Sequence, residues 1–172
     1  MILTGSEITK RVTANEITID PFDEIQINPN SYNYRLGPTL GVPLIRKNEV
    51  KYDFIEIPPE GYQLDPGVTY LGHTKEILGS DKFAMSLIGR SSLGRLGLFL
   101  QVSANLGHTG SCHQWTLEIV AARPFILHRD MRIGQISFWK NDGVIGLYTE
   151  GYSAFNQPQL SMLNDSRVVR NE

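Results

Sequence analysis

The sequence predicts an all-β fold, a barrel or a sandwich, and three observations lead there. Short segments alternate apolar and polar residues in period two. Turn-forming clusters separate them at intervals of roughly eight to twelve residues. The chain's 172 residues suit one domain with a core of its own.

The elements follow in chain order. Thr4-Gly5-Ser6-Glu7 has the spacing of a capping box, and Ile8, Val12 and Ile17 add a thin apolar pattern. A short helix over residues 6–13 is therefore expected. Strand patterns come next: Ile17-Thr18-Ile19, Ile25-Gln26-Ile27, Phe54-Ile55-Glu56-Ile57, Val68-Thr69-Tyr70-Leu71 and Phe83-Ala84-Met85-Ser86-Leu87. Pro29-Asn30, Pro58-Pro59-Glu60-Gly61 and Asp65-Pro66-Gly67 are the turns between them. Later strands are expected over residues 99–103, 115–121 and 133–139. Asn141-Asp142-Gly143 signals a hairpin into a last strand over residues 144–148. The domain is drawn over residues 1–152. Residues 153–172, rich in Asn, Gln and Ser, read as an arm that orders on a partner or ligand.

Composition narrows the function. The net charge of −2 offers no bulk attraction to nucleic acid or to an anionic membrane. Cys112 is the one cysteine, so no internal disulfide forms and a reducing, cytoplasmic setting is expected. No apolar run reaches membrane-spanning length, and the start Met1-Ile2-Leu3-Thr4-Gly5 lacks the layout of a signal peptide.

Three segments could carry chemistry. Ile88-Gly89-Arg90-Ser91-Ser92-Leu93-Gly94-Arg95-Leu96-Gly97-Leu98 combines two arginine forks, two hydroxyls and glycines that let backbone approach closely, which suits phosphate. The same composition also fits a glycine-rich loop whose arginines meet only solvent. Glu118 lies in the strand pattern Gln114-Trp115-Thr116-Leu117-Glu118-Ile119-Val120, where Trp115, Leu117 and Ile119 share one face and Thr116, Glu118 and Val120 the other. A carboxylate there is a general base tuned by burial and an arginine, or a surface glutamate on a half-exposed strand. His108, Cys112 and His113 invite a zinc reading against that of an ordinary loop. The ligand set is incomplete, and the His-x-Glu and Pro-Cys-x-x-Cys pair of zinc nucleobase deaminases is missing. Ser91 and Ser92 lie in no Gly-x-Ser-x-Gly elbow, and neither a Walker loop nor a dinucleotide fingerprint occurs.

Gly89-Arg90-Ser91-Ser92-Leu93-Gly94-Arg95-Leu96-Gly97-Leu98 resembles the signature of the dCTP deaminase family, within the trimeric dUTPase-like superfamily. Asn28-Pro29-Asn30-Ser31-Tyr32-Asn33-Tyr34-Arg35-Leu36-Gly37 is similar to that family's N-terminal segment, with Asn33 where the family has aspartate. Gly61-Tyr62-Gln63-Leu64-Asp65-Pro66-Gly67, Thr116-Leu117-Glu118 and Met131-Arg132-Ile133-Gly134-Gln135-Ile136 resemble further family segments in the same order. The similarity spans roughly residues 1–157.

The resemblance implies a distorted β-barrel of the dUTPase-like type and a homotrimer with active sites between subunits. It implies zinc-independent hydrolysis of a cytosine deoxynucleotide, dCTP to dUTP plus ammonia, in dUMP synthesis. It places Glu118 as general base, with Ser91 and Arg95 orienting the water and the glutamate. It assigns Arg90 and Ser92 to the phosphates and Ala104 to the pyrimidine. Thr116 and Leu117 count as substrate-binding with the Glu118 motif, and Tyr152 and Gln157 as phosphate contacts of the arm. Mg²⁺ would arrive through the nucleotide phosphates. Two departures stand out. Where the family has Asp-Pro-Gly and an aromatic residue, this chain has His108-Thr109-Gly110-Ser111. Either His108 contacts the sugar or the substrate differs, as dCMP or a modified nucleotide would. The same change argues against a dUTP diphosphatase. Second, the arm's lysine position falls near Glu150-Gly151. A non-catalytic nucleotide-binding homologue is the alternative to an enzyme.

Overall fold

The computed structural model describes residues 1–46, 49–100, 104–153 and 155–161. Helix α1 (Gly5–Thr13) is followed by β1 (Thr18–Asp20), a 3₁₀ turn at Glu24–Gln26, β2 (Ile27–Asn28) and β3 (Ser31–Arg35). Next come β4 (Thr39–Arg46), β5 (Glu49–Glu56), β6 (Tyr62–Leu64), β7 (Thr69–His73), β8 (Ile77–Gly79) and β9 (Phe83–Gly89). A short helix α2 (Ser91–Arg95) precedes β10 (Leu98–Leu100), β11 (Leu106–Gly107), β12 (Cys112–His113) and β13 (Thr116–Ala121). Strands β14 (Phe125–Leu127) and β15 (Arg132–Lys140) complete the fold.

Two five-stranded antiparallel sheets, β10-β13-β7-β4-β5 and β11-β9-β15-β3-β2, carry the architecture. A three-stranded sheet, β1-β8-β12, and the pair β6-β14 flank them. The result is a distorted barrel whose two large sheets are not joined edge to edge among the described residues. Period-two patterning fills it. Phe83, Met85 and Leu87 of β9, Leu117 and Ile119 of β13, and Ile136 and Phe138 of β15 all point into one core with Tyr32 and Tyr34 of β3. Each such side chain contributes about 1.5–3 kcal/mol through loss of water contact. One ion pair is built in at the core's edge. Fully buried Glu76 accepts from the Arg35 backbone N–H at 2.8 Å and from Arg35 Nε at 2.6 Å, tying the end of β3 to the start of β8.

Several local expectations are corrected. The capping box does not form: Thr4 makes no side-chain cap bond, and Glu7 turns instead to Arg11, 2.6 Å away, because a charge-assisted pair one turn on is the stronger partner. Residues 24–26 form a 3₁₀ turn because the Asp23 side chain accepts from the Ile25 N–H and caps it. The phosphate-type loop contains α2, whose chain then reverses at Gly97 with a φ of +86°. The expected strand over residues 99–103 is β10 as far as Leu100, and residues 101–103 lie outside the described set. The Asn141-Asp142-Gly143 hairpin is not made, and residues 144–148 are irregular. The Asn141 amide is spent on Lys82 O and Thr109 Oγ1, so the chain docks on the residue 108–111 loop through Tyr148 N–H to Thr109 O at 2.8 Å. Strands β3 and β4 carry no alternation that the sequence reading used: four of the five β3 residues are buried, on both faces.

Candidate functional site

Strand β13 builds the site. Hydrogen-bonded between β10 and β7, it buries Leu117, Ile119 and Ala121 and leaves Thr116, Glu118 and Val120 half-buried on the opposite face. Glu118 faces Leu71 across the β7 register, so its carboxylate rises from the middle of a sheet. Above that face opens a cavity of about 500 Å³. Its walls come from distant parts of the chain: Tyr52 of β5, Thr69 and Leu71 of β7, Ala104, Leu106 and His108, Ser111 and His113, and Trp115 beside Thr116 and Glu118. Tyr148, Tyr152, Phe155, Gln159, Leu160 and Ser161 close the remaining side. That volume and lining, aromatic rings interspersed with hydroxyl, imidazole and carboxylate groups, are those of a small-ligand site.

Among the described lining residues Glu118 is the one carboxylate. The Tyr52 hydroxyl donates to Thr69 O at 3.2 Å. Burial pushes the Tyr52 phenol above its ordinary range, and the charge of Glu118 pushes it further. His113 lies buried in the wall, its ring stacked 4.4 Å from that of Trp115, and Trp115 Nε1 donates to Leu78 O at 2.9 Å. Burial holds the His113 imidazole below its ordinary value, against the carbonyls of Gln114 and Phe155. His108 is exposed, with its ring centroid 5.2 Å from that of Tyr148. The two rings stand between the Glu118 cavity and a second cleft of about 430 Å³ walled by Ala84, Thr109, Asn141 and Leu147.

Of the residues singled out in the sequence, Glu118, Ala104, His108, Thr116 and Tyr152 line the cavity. Leu117 does not: its side chain is fully buried in the core, on the other face of β13. Gln157 is engaged elsewhere, accepting from Thr39 Oγ1 at 3.0 Å, and is not among the lining residues. Ser91, Ser92 and Arg95 are exposed on α2, and Arg90 stands at its N-cap position without a side-chain cap bond, its Nη1 donating instead to Arg132 O at 3.4 Å. Helix α2 lies beyond the far end of β13, where Ala122 N–H donates to Gly97 O at 2.7 Å and Arg123 donates to Leu96 O and Arg95 O. Residues 118 and 122 are roughly 13 Å apart along a strand. One chain therefore presents the carboxylate and the arginine–serine helix as two separate surfaces. The metal-like trio also separates: Cys112 is exposed while the adjacent His113 is buried, as alternation on a strand requires. No three His, Cys, Asp or Glu side chains converge as a metal-ligand set among the described residues.

Tyr52, Tyr148, Trp115, Phe155 and Gln159 join the site without having been singled out as ligand contacts. Tyr52 and Phe155 lie far from Glu118 in sequence, and only the folding of β5 and of the C-terminal segment brings them in.

A family model described as dCTP deaminase-like matches residues 2–141. A Clostridium botulinum (strain Eklund 17B / Type B) protein named "dCTP deaminase, dUMP-forming" is 42% identical over 171 residues, covering 95% of this chain and 96% of its own length. A Rhodopirellula baltica protein named "dCTP deaminase" is 41% identical over 147 residues, 83% of this chain and 74% of its own. The crystal structure of 2′-deoxycytidine 5′-triphosphate deaminase from Agrobacterium tumefaciens superposes with a TM-score of 0.64 at 21% identity. It covers 80% of this chain, which in turn spans 46% of that structure.

Proposed function

This chain belongs to the dCTP deaminase-like family, and we propose that it hydrolyses dCTP to dUTP and ammonia with Glu118 as the proton-handling group. The observation that carries this reading is a half-buried carboxylate on β13 facing an aromatic-lined cavity of about 500 Å³. In this mechanism Glu118 takes a proton from water as the hydroxide adds to C4 of the cytosine ring. It returns that proton to the exocyclic nitrogen, which leaves as ammonia, while the proton remaining on the C4 oxygen passes to N3, so that this oxygen becomes the uracil carbonyl. Ala104 and Thr116 flank the base, and His108 lies toward the sugar. Any Mg²⁺ would arrive on the nucleotide's phosphates, which supply ligands to the ion in sites of this kind. The single cysteine supports a reducing, cytoplasmic setting.

The separation of α2 from Glu118 supports a site assembled between copies of the chain. Arg90 and Ser92 of one copy would grip the phosphates, while its Ser91 and Arg95 orient the water and Glu118 of the neighbour. Ile88, Leu96 and Phe99 around α2, and Leu106 at the cavity, are large exposed apolar side chains, and burial between copies in a homotrimer would remove them from water.

The names of the Clostridium relatives favour a second reading, in which dUTP is cleaved onward to dUMP and diphosphate. Against it stands His108 where the resembled pattern has an aspartate. Counting ammonia and diphosphate released per dCTP consumed decides between them. Ammonia alone is the first reading, equal amounts of both the second, and neither product refutes both. Glu118→Gln should lower the rate of ammonia release by at least roughly a hundredfold while dCTP still binds. A variant with undiminished turnover would remove Glu118 from the chemistry.

A further inference from the structure

We infer that His113 is a positioning residue: it latches the chain's own C-terminal segment, residues 155–161, against the Glu118 cavity, and this latch sets nucleotide affinity more than the rate of the chemical step. Phe155, Gln159, Leu160 and Ser161 form one wall of that cavity. The segment is not held by apolar packing alone. Gln114 N–H donates to Asn156 Oδ1 at 3.0 Å, and Gln159 N–H donates to Thr116 Oγ1 at 3.0 Å. Ahead of these two attachments along both segments lies the one made by a buried side chain. His113, 5% exposed, places Nδ1 at 3.0 Å from Phe155 O and 2.8 Å from Gln114 O.

Both partners of Nδ1 are backbone carbonyls, which only accept. The hydrogen therefore sits on Nδ1 and is shared between them, which fixes the tautomer of the ring. The ring itself cannot turn away, because it is stacked on Trp115 at an interplanar angle of 28° and Trp115 is pinned to Leu78 O. Strand β12, which carries His113, is locked to β8 by the Cys112–Gly79 and His113–Leu78 pairs. A donor fixed in a rigid wall thus holds a short segment that has no strand pairing of its own among the described residues. Opening the segment breaks this bond and removes Phe155 from the cavity. Closing it restores the wall against whatever occupies the space beside Glu118.

The inference rests on the reading of this cavity as the nucleotide site, and the experiment separates the two. Hydrogen exchange of residues 155–161 and steady-state kinetics with dCTP are measured for the parent chain, His113→Phe and His113→Asn. Phenylalanine keeps the stack on Trp115 but has no donor. Asparagine keeps a donor near the Nδ1 position. His113→Phe should exchange the segment roughly five- to tenfold faster and raise KM by a similar factor, with kcat changed less. His113→Asn should recover most of both effects. Unchanged exchange in His113→Phe, or equal losses in the two variants, overturns the latch. Faster exchange in His113→Phe alone, in a protein that releases no ammonia from dCTP, supports the latch and refutes the nucleotide reading.

Discussion

His73 occupies β7 directly across from Thr116, with its ring 1% exposed. Nδ1 donates to Thr74 O at 2.9 Å, and Nε2 is buried with no partner among the described residues. Burial holds this imidazole below its ordinary value, and the Thr74 carbonyl only partly offsets that effect. The unfolded chain, titrating near ~6.5, therefore binds a proton that the folded chain refuses. Stability present above that pH is lost as pH falls through it toward the lower folded value, and His113 adds to the loss in the same direction. Melting temperature should drop between about pH 7 and 5, and His73→Asn, which retains a donor toward Thr74 O, should flatten the profile. An equally steep profile in the variant would assign the acid sensitivity to other groups. At this scale Glu118 was legible, because a carboxylate inside an alternating apolar strand needs a partner or a task. His73 was not, since nothing local marks a histidine as core.

Strand β12 shows how an element two residues long can govern a site. It pairs with β8 at Gly79, where an added Cβ would lie 2.4 Å from Cys112 Cα and 2.4 Å from Ser111 O. Both obstacles are backbone and cannot swing aside. Gly79→Ala should push β12 off β8 at a cost of about 2 kcal/mol, read from urea unfolding. It should also raise KM for dCTP, because Ser111 and His113 move with the strand. A fully stable variant with parental KM would show that β12 does not set the cavity wall. The long strands β9, β13 and β15 announce themselves in sequence because one face of each is dry and the other wet. Residues 144–148 look like a strand too, and Asn141-Asp142-Gly143 looks like its turn. There the tertiary use of the Asn141 amide on Lys82 and Thr109 overrides the local preference.

For the whole molecule, the decisive feature is that α2 and Glu118 lie on different surfaces of one chain. If the site is shared between neighbours, Glu118→Gln and Arg95→Ala should each be inactive alone. Co-expressed, they should recover measurable ammonia release, since some mixed trimers then contain one intact site. Light scattering of the parent should give three chain masses. A monomer that turns over, or mixtures that stay inactive, would place the full site within one chain. No helix among the described residues is long and apolar enough to cross a membrane. The sequence by itself determined the all-β class, the order of the main strands, and the two candidate reactive groups, Arg90-Ser91-Ser92 with Arg95 and Glu118. These are written in period-two burial and in residue chemistry, both local properties. Only the tertiary structure decided that these groups stand apart in one chain, that Leu117 and Gln157 face away from the cavity, and that Tyr52, His113 and Phe155 wall it. Those outcomes depend on antiparallel register and on a returning C-terminal segment, and both join residues that lie far apart along the chain.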